Sequence, residues 1–371
     1  MNEDFLLTKI TARKEQDAYR QLQVVEGLID FCSNDYLGMV KNAVLNTHGE
    51  GLSAGSTGSR LLSGNSRLAE ETESFIAGFH HAPAALLFNA GYDANLGLLS
   101  AVPQRGDTVL YDALSHASLR DGLRLSLATA WPFAHNDMDA LRTKIATASG
   151  NIFVVTESVF SMDGDQAPLP ELVDICQLHR AHLVVDEAHA TGVVGSNGEG
   201  LAQYLQLEQY CFARIHTFGK ALGCHGAAVL GSTRLRDYLV NFSRPFIYTT
   251  ALPPVAVAAI QESYRKFPAM HAEREQLRHL IALFRKLPLG FETLSSETAV
   301  QSVIIPGNTQ AKQVARACRQ AGFDIRAILY PTVPKGRERL RIVLHAFNTE
   351  KELQQLAVLL QQCWQQLQAG T

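Results

Sequence analysis

The chain has 371 residues, 46% of them hydrophobic and 19% charged, with a formal net charge of −3. That length suits one large domain and a smaller one around an ample core, and the near-neutral balance argues against a nucleic-acid or anionic-membrane partner. No apolar run reaches the length of a membrane span, and Met1-Asn2-Glu3-Asp4 carries acid where a secretion signal would carry base. Six cysteines (Cys32, Cys176, Cys211, Cys224, Cys318 and Cys363) are scattered without CxxC spacing. They fit a cytoplasmic protein with free thiols, and no metal site is expected. Cys224 reads as a small buried hydrophobe.

Residues 1–27 are polar and helix-prone and read as a leading helix within an arm that spans 1–45. Phe31 to Gly38 reads as a strand entering a turn. From Gly49 to Ser66 the chain is rich in Gly and Ser, as in a linker or a loop whose backbone comes close to a ligand; Arg60-Leu61-Leu62 inside it argues against a plain linker. From Leu68 onward, strand and helix patterns alternate. A helix (68–79) leads to the apolar run 84–88, then to a Gly turn at Gly91 and a second helix. Strands follow at 108–111, at 152–157 and at 182–185, the last running into Asp186, with Pro168 and Pro170 opening the helix between the last two. An apolar run from Cys211 to Phe218 ends at Lys220, and a Gly-rich turn follows it.

Repeated β-turn-α units argue for an α/β fold with a parallel sheet covered by helices on both sides, spanning 46–254. After Pro253-Pro254 the pattern changes to a long helical stretch (255–287). Beyond it lie strands at 300–305, 324–329 and 339–344 and helices at 309–320 and 349–367, which together read as a smaller α+β domain over 255–371.

In parallel sheets, ligands sit at the carboxyl ends of the strands. Gly91, His116, Glu157, Ser161, Asp186, His189 and Lys220 all fall just after strand-like runs. Taken singly, each has a plain structural explanation: a lysine with a buried stem, an aspartate in a turn. Their shared placement points to one site. An aspartate that ends a buried strand, followed by a lysine on a later turn, is what a pyridoxal phosphate (PLP) enzyme needs, because the lysine bonds the cofactor and the aspartate pairs with the pyridine nitrogen.

Nine segments, in order, extend this pattern over nearly the whole chain: SNDYLG (33–38), GSTGSRLLSGN (55–65), AGYDAN (90–95), SHAS (115–118), TESVFSMDGD (156–165), VDEAHATG (185–192), TFGK (217–220), YTTALPP (248–254) and PTVP (331–334). With them the chain resembles the α-oxoamine synthase family of fold-type I PLP enzymes, which implies a seven-stranded, mostly parallel sheet in the large domain. The segment FAHND (133–137), the TESVFSMDGD and PTVP segments and the short N-terminus most resemble a member that condenses L-alanine with a pimeloyl thioester, of coenzyme A or a carrier protein, and releases carbon dioxide.

The resemblance implies that Lys220 bonds the cofactor, Asp186 binds the pyridine nitrogen, His189 the phenolic oxygen, and that His116 stacks on the ring. It implies that Gly91 and Tyr92 hold the phosphate through backbone N–H groups. Glu157, Ser161 and Thr217 complete the cofactor set, and Thr249 or Thr250 reaches the phosphate of a second subunit in a homodimer. Asn34 and Arg341 take the amino-acid carboxylate, with Arg20 and Thr332 near the acyl substrate. One departure stands out: relatives often carry Arg where this chain has Leu329. Arg337 and Arg339 are expected to be solvated. Sister activities with another amino acid or acyl length stay open: glycine C-acetyltransferase, serine palmitoyltransferase and long-chain aminoketone synthase. A non-catalytic binding module would require a broken catalytic set, and this set is complete.

Overall fold

The computed structural model describes residues 3–45 and 51–369. Met1, Asn2 and the stretch 46–50, with the start of the Gly/Ser-rich loop and of the domain placed at 46–254, lie outside the described residues. The chain forms two compact units. The larger takes Leu37–Ser161 and Gln166–Arg274. The smaller gathers the residues up to Tyr36, the short piece Met162–Asp165 and the residues from Glu275 onward. Residues 255–274, placed by sequence with the smaller domain, thus belong to the larger unit.

In chain order the strands are β1 (Ile29–Asp30), β2 (Ala84–Phe88), β3 (Thr108–Asp112), β4 (Thr129–Phe133), β5 (Ile152–Glu157), β6 (His182–Asp186), β7 (Cys211–Thr217) and β8 (Ala227–Gly231). After these come β9 (Val300–Ile304), β10 (Phe323–Asp324), β11 (Arg326–Ile328) and β12 (Arg339–Val343).

The larger unit is built on a seven-stranded sheet in the order β2-β8-β7-β6-β5-β3-β4. β8 pairs antiparallel with both of its neighbours and every other pairing is parallel. The parallel pairing is what the repeated β-turn-α pattern predicts, and the seven strands are what the family resemblance implies. Successive side chains on each strand serve opposite faces. Leu110, Val154 and Val185 join one apolar cluster with Leu141, Leu172 and Val173 from helices, whereas Val109, Val155 and Val184 join another with Leu98, Leu119 and Leu239. Burial on both faces is why these strands read as continuous apolar runs.

Two strands lie outside those that the sequence pattern marks. β4 is a largely exposed edge strand that carries Pro132, tolerated at an edge where no ladder partner needs its missing N–H. β8 is short and opens with two alanines. The expected long helix at 255–287 is two helices, Pro254–Lys266 and His271–Phe284, separated by a 3-10 turn at Phe267–Ala269. Pro268, without an N–H, interrupts the ladder there.

In the smaller unit, β12 is the centre of a three-stranded antiparallel sheet, β11-β12-β9. β1 pairs in parallel with β10 but is only two residues long and ends before Phe31; residues 31–38, expected to open as a strand, form bends and turns instead. The leading helix is Asp4–Glu15 and has no buried residue. No helix among the described residues is long and apolar enough to cross a membrane.

Candidate active site

Strand register places the candidate residues of the larger unit along one edge of the sheet. Phe88 and Thr217 are both register partners of Ala227, Asp186 faces Ile215, and Glu157 faces Asp186. Each is the last residue of its strand except Ala227 and Ile215. The turns that follow carry Gly91, Ser161, His189 and Lys220, and the turn after β3 carries His116.

Asp186 is buried at 5% exposure. Its two oxygens are held separately: Oδ1 accepts the backbone N–H of Ala188 at 2.9 Å, and Oδ2 accepts the side-chain amide of Asn95 at 2.7 Å. The next residue, Glu187, is also buried and accepts from Ser158 Oγ at 2.7 Å and the N–H groups of Leu201 and Ala202 at 3.0 and 2.7 Å. One carboxylate thus anchors the turn, with its pKa raised by burial against those bonds, and Asp186 is left for the site. His189 lies in the tight turn that follows and is buried.

His116 caps the helix Ala117–Leu125, its Nδ1 accepting from the backbone N–H of Ser118 at 3.3 Å. Its own N–H donates to Glu157 Oε1 at 2.6 Å. Loss of hydration lowers the imidazole pKa, and the nearby Lys220 adds to that while Asp186 opposes it. Tyr92 packs edge-on to the same imidazole with ring centres 6.4 Å apart, and its hydroxyl donates to Asp121. Glu157 is buried, and burial first, then the charge of Asp186, push its carboxyl up to about 8.

Gly91 opens the helix Gly91–Ala101, and no side chain caps that end. The first N–H groups of a helix have no intrahelical partner and carry the positive end of its dipole. A Cβ at Gly91 would stand 2.3 Å from Thr217 Oγ1. Only glycine leaves the backbone open at that point.

Lys220 sits in a closed turn: Phe218 N–H donates to Gly226 O, Gly223 N–H to Lys220 O and Cys224 N–H to Phe218 O, each at 2.9 Å. The Cys224 thiol packs against Leu222 O and Ala259 O, both at 3.3 Å, and burial pushes it up to about 12. It is a protonated, half-buried thiol. All six cysteines are free.

These residues fit PLP. Each oxygen of Asp186 receives one N–H and keeps a lone pair for a protonated ring nitrogen. The uncapped helix start and side-chain-free Gly91 suit a phosphate. The lysine amine and the flat face of His116 belong to the same strand-end group. Thr249 and Thr250 line a cavity with Arg60 and with Phe88 and Asn89 at the end of β2. The Thr250 carbonyl accepts from Asn89 at 2.8 Å and the residue bridges Ser59.

The candidates in the smaller unit form two groups. Arg341, 8% exposed on β12, donates to Asn34 Oδ1 at 3.0 Å, and Tyr36 donates to the same oxygen at 3.2 Å. The SNDYLG segment is laid against the end of β12 by Val343 N–H to Phe31 O at 2.9 Å and Ala346 N–H to Tyr36 O at 2.8 Å. Arg20 Nη2 donates to Thr332 Oγ1 at 3.0 Å, joining the two residues expected near the acyl substrate. Arg339 corrects the sequence reading: it is 3% exposed and pairs with Asp163 at 2.6 Å. Strand alternation puts it on the same face as Arg341, away from solvent. Arg337 pairs with Glu292 at 2.9 Å in a more open setting.

Two residues at the heart of the larger unit's site have no role in the sequence reading. Asn95 bonds Asp186, and Ser118 bonds both Asn95 and His116. Asn95 is four residues after Gly91, on the same face of its helix; that spacing is the signal that could have found it.

A sequence model of the family described as Aminotransferase class I and II matches residues 26–360. A protein of Emericella nidulans named 8-amino-7-oxononanoate synthase is 40% identical, over 94% of this chain and 93% of its own. Among solved structures, the 8-amino-7-oxononanoate synthase of Francisella tularensis is similar with a TM-score of 0.78 and 27% identity, over 91% of this chain and 98% of that one. A serine palmitoyltransferase from S. paucimobilis, carrying a PLP–myriocin adduct, has a TM-score of 0.86 and 28% identity, over 99% of this chain and 98% of that one.

Proposed function

The chain belongs to the aminotransferase class I and II family, and from that premise we propose that it carries out the 8-amino-7-oxononanoate synthase reaction with PLP as cofactor. L-alanine and a pimeloyl thioester give 8-amino-7-oxononanoate, carbon dioxide and the free thiol, a step of biotin biosynthesis. The observation that carries this reading is the 40% identity, over nearly the full length, to a relative with that activity in its name. The strand-end cluster of the larger unit supports the PLP chemistry independently.

Bound there, PLP supplies an electron sink that lowers the energy of a carbanion at the alanine Cα. In this reading Asp186 keeps the ring nitrogen protonated, since an adjacent negative charge favours the charged form of a base. His189 meets the phenolic oxygen, Ser161 and Thr217 complete the polar contacts, and the N–H groups of Gly91 and Tyr92 hold the phosphate. Lys220 bonds the cofactor at rest. Once alanine displaces it, its Nζ takes the Cα proton. A carbon–carbon bond forms between Cα and the thioester carbonyl carbon, the thiol leaves, the alanine carboxylate departs as carbon dioxide and a proton returns to Cα. Arg341 and Asn34 take the amino-acid carboxylate, and Arg20 and Thr332 serve the acyl chain.

We propose that the chain works as a homodimer in the cytoplasm. Leu62 and Tyr248, in the two loops that carry family motifs, are 84% and 72% exposed; apolar side chains so placed suit a subunit interface. Thr249 or Thr250 then serves the other subunit's phosphate. Sedimentation of the purified chain tests the dimer.

The reaction is tested with purified protein and PLP. Alanine, glycine and serine are offered against pimeloyl, acetyl and palmitoyl thioesters, following carbon dioxide and product mass. Turnover confined to alanine with the pimeloyl donor is expected. Preference for serine with the palmitoyl donor would overturn the assignment in favour of the activity of the S. paucimobilis neighbour.

A further inference from the structure

Two side chains, Asn95 and Ser118, form a continuous line between the two groups expected to flank the cofactor ring. Asn95 Nδ2 lies 2.7 Å from Asp186 Oδ2 and 2.9 Å from Ser118 Oγ, and Ser118 Oγ lies 2.8 Å from His116 Nδ1. Asn95, Ser118 and Asp186 are all buried. We propose that Asn95 and Ser118 are positioning residues that fix the tautomer of His116, with its proton on Nε2, and the plane of the Asp186 carboxylate.

The direction of every bond in the line follows from elementary chemistry. The backbone N–H of Ser118 points at His116 Nδ1 from 3.3 Å. A backbone N–H only donates, so Nδ1 must offer a lone pair. The neutral ring then carries its proton on Nε2. The hydroxyl of Ser118 gives its single proton to the same Nδ1 and is left as an acceptor. Asn95 supplies that acceptor with one amide hydrogen and gives the other to Asp186.

The orientation of the Asn95 amide is set by its partner. Turned over, it would place its oxygen against the Asp186 carboxylate, two acceptors with no hydrogen between them. In the orientation found, Asn95 Oδ1 is buried with no hydrogen-bond partner among the described residues. The site tolerates that unsatisfied oxygen and keeps both N–H groups engaged, which is the expected arrangement if those two bonds matter more than local satisfaction. Asp186 is then held at both oxygens, by Ala188 N–H and by Asn95. His116 is left with one defined donor, the Nε2–H. On the reading that His116 stacks over the cofactor and meets the substrate carboxylate, that donor is the useful one: an Nδ1–H tautomer would present a lone pair to a negative charge.

The inference rests on that functional reading for its purpose but not for its geometry, and the test separates the two. The full chain, labelled with 15N in its histidine rings, is studied by NMR with and without PLP, and His116→Gln identifies the His116 signals. The native protein is expected to show the Nε2–H tautomer even without cofactor. Ser118→Ala removes the 2.8 Å hydroxyl bond to Nδ1 and leaves only the longer 3.3 Å backbone N–H, so it and Asn95→Ala are expected to convert the ring to a mixture, Ser118→Thr to preserve it. Turnover should fall about ten-fold in Ser118→Ala, the size of one net hydrogen bond, with a shifted pH profile, and return in Ser118→Thr. If Asn95→Ala does not fold, the two Ser118 variants carry the test alone. An Nδ1–H tautomer in the native chain, or a tautomer unmoved by Ser118→Ala, overturns the proposal. Failure of the chain to bind PLP would instead overturn the functional reading and leave the tautomer result standing.

Discussion

Glu157 and Asp186 are register partners at the ends of β5 and β6, so two carboxyl groups close neighbouring strands side by side. Two such groups do not ionise equally. Burial and the charge of Asp186 raise Glu157 to about 8, and Lys220 only partly opposes them. Glu157 is therefore a neutral acid near pH 7, and it still accepts the His116 N–H through its carbonyl oxygen.

The pH dependence of stability follows. In the unfolded chain Glu157 titrates near 4.5, in the folded chain near 8. Between those values the folded state holds the extra proton, so this group's contribution is full below about 4.5 and is lost as pH rises towards 8. Glu157→Gln should flatten that slope. Melting temperatures of the cofactor-free chain between about pH 5 and 8 check this, and parallel curves for native and variant would contradict it.

Lys220 and Asp186 should fail in different ways. Lys220→Ala is expected to abolish turnover and to leave no cofactor attached after borohydride reduction, as read by mass spectrometry. Asp186→Asn is expected to retain PLP but lose about 100-fold or more in turnover, because a neutral amide no longer holds the ring proton. Near-native kinetics in either variant would remove that residue from the mechanism.

Gly91→Ala tests the phosphate cradle. The added methyl meets Thr217 Oγ1 at 2.3 Å and its Cβ at 3.3 Å. The Thr217 side chain or the helix start must shift, and PLP affinity should drop about ten-fold or more. Fluorescence titration with PLP measures it. Gly91→Ala with Thr217→Ser probes whether the hydroxyl itself is the obstacle: no recovery is expected, since serine keeps the oxygen.

Arg341→Lys should raise the KM for alanine by about ten-fold or more with a smaller change in kcat. Lysine keeps the charge but loses the planar fork that reaches Asn34 and a carboxylate together. A change confined to kcat would point to a role in the chemical step.

Much of this arrangement is legible in the sequence because buried parallel strands announce themselves. Ile152 to Glu157 and His182 to Asp186 are continuous apolar runs that end in a polar residue, and in such sheets the strand ends are where ligands bind. β4 is an exposed edge with a proline and carries no apolar run. β8 is a buried apolar pentapeptide that follows the Gly-rich turn after Lys220 directly, and the sequence reading passes over it. Arg339 looks solvated in a charge-rich stretch, yet Asp163, 176 residues away in the chain, covers it. Asn95 and Ser118 were in view as letters of two motifs. The spacing from Gly91 puts Asn95 on the site's face of its helix, but which atoms the two side chains meet is not specified by residue type and spacing.

The turn that carries Lys220 joins β7 to β8, which pair antiparallel from Thr217 with Ala227 to Ala213 with Gly231. The Phe218 N–H, bonded to Gly226 O, extends that ladder by one step from two strands in the interior of the sheet. Its amide proton should exchange with heavy water only when the sheet itself comes apart, and so report the global stability of the larger unit from two residues before the reactive amine, whereas the Gly223 amide, bonded inside the turn to Lys220 O, should exchange sooner.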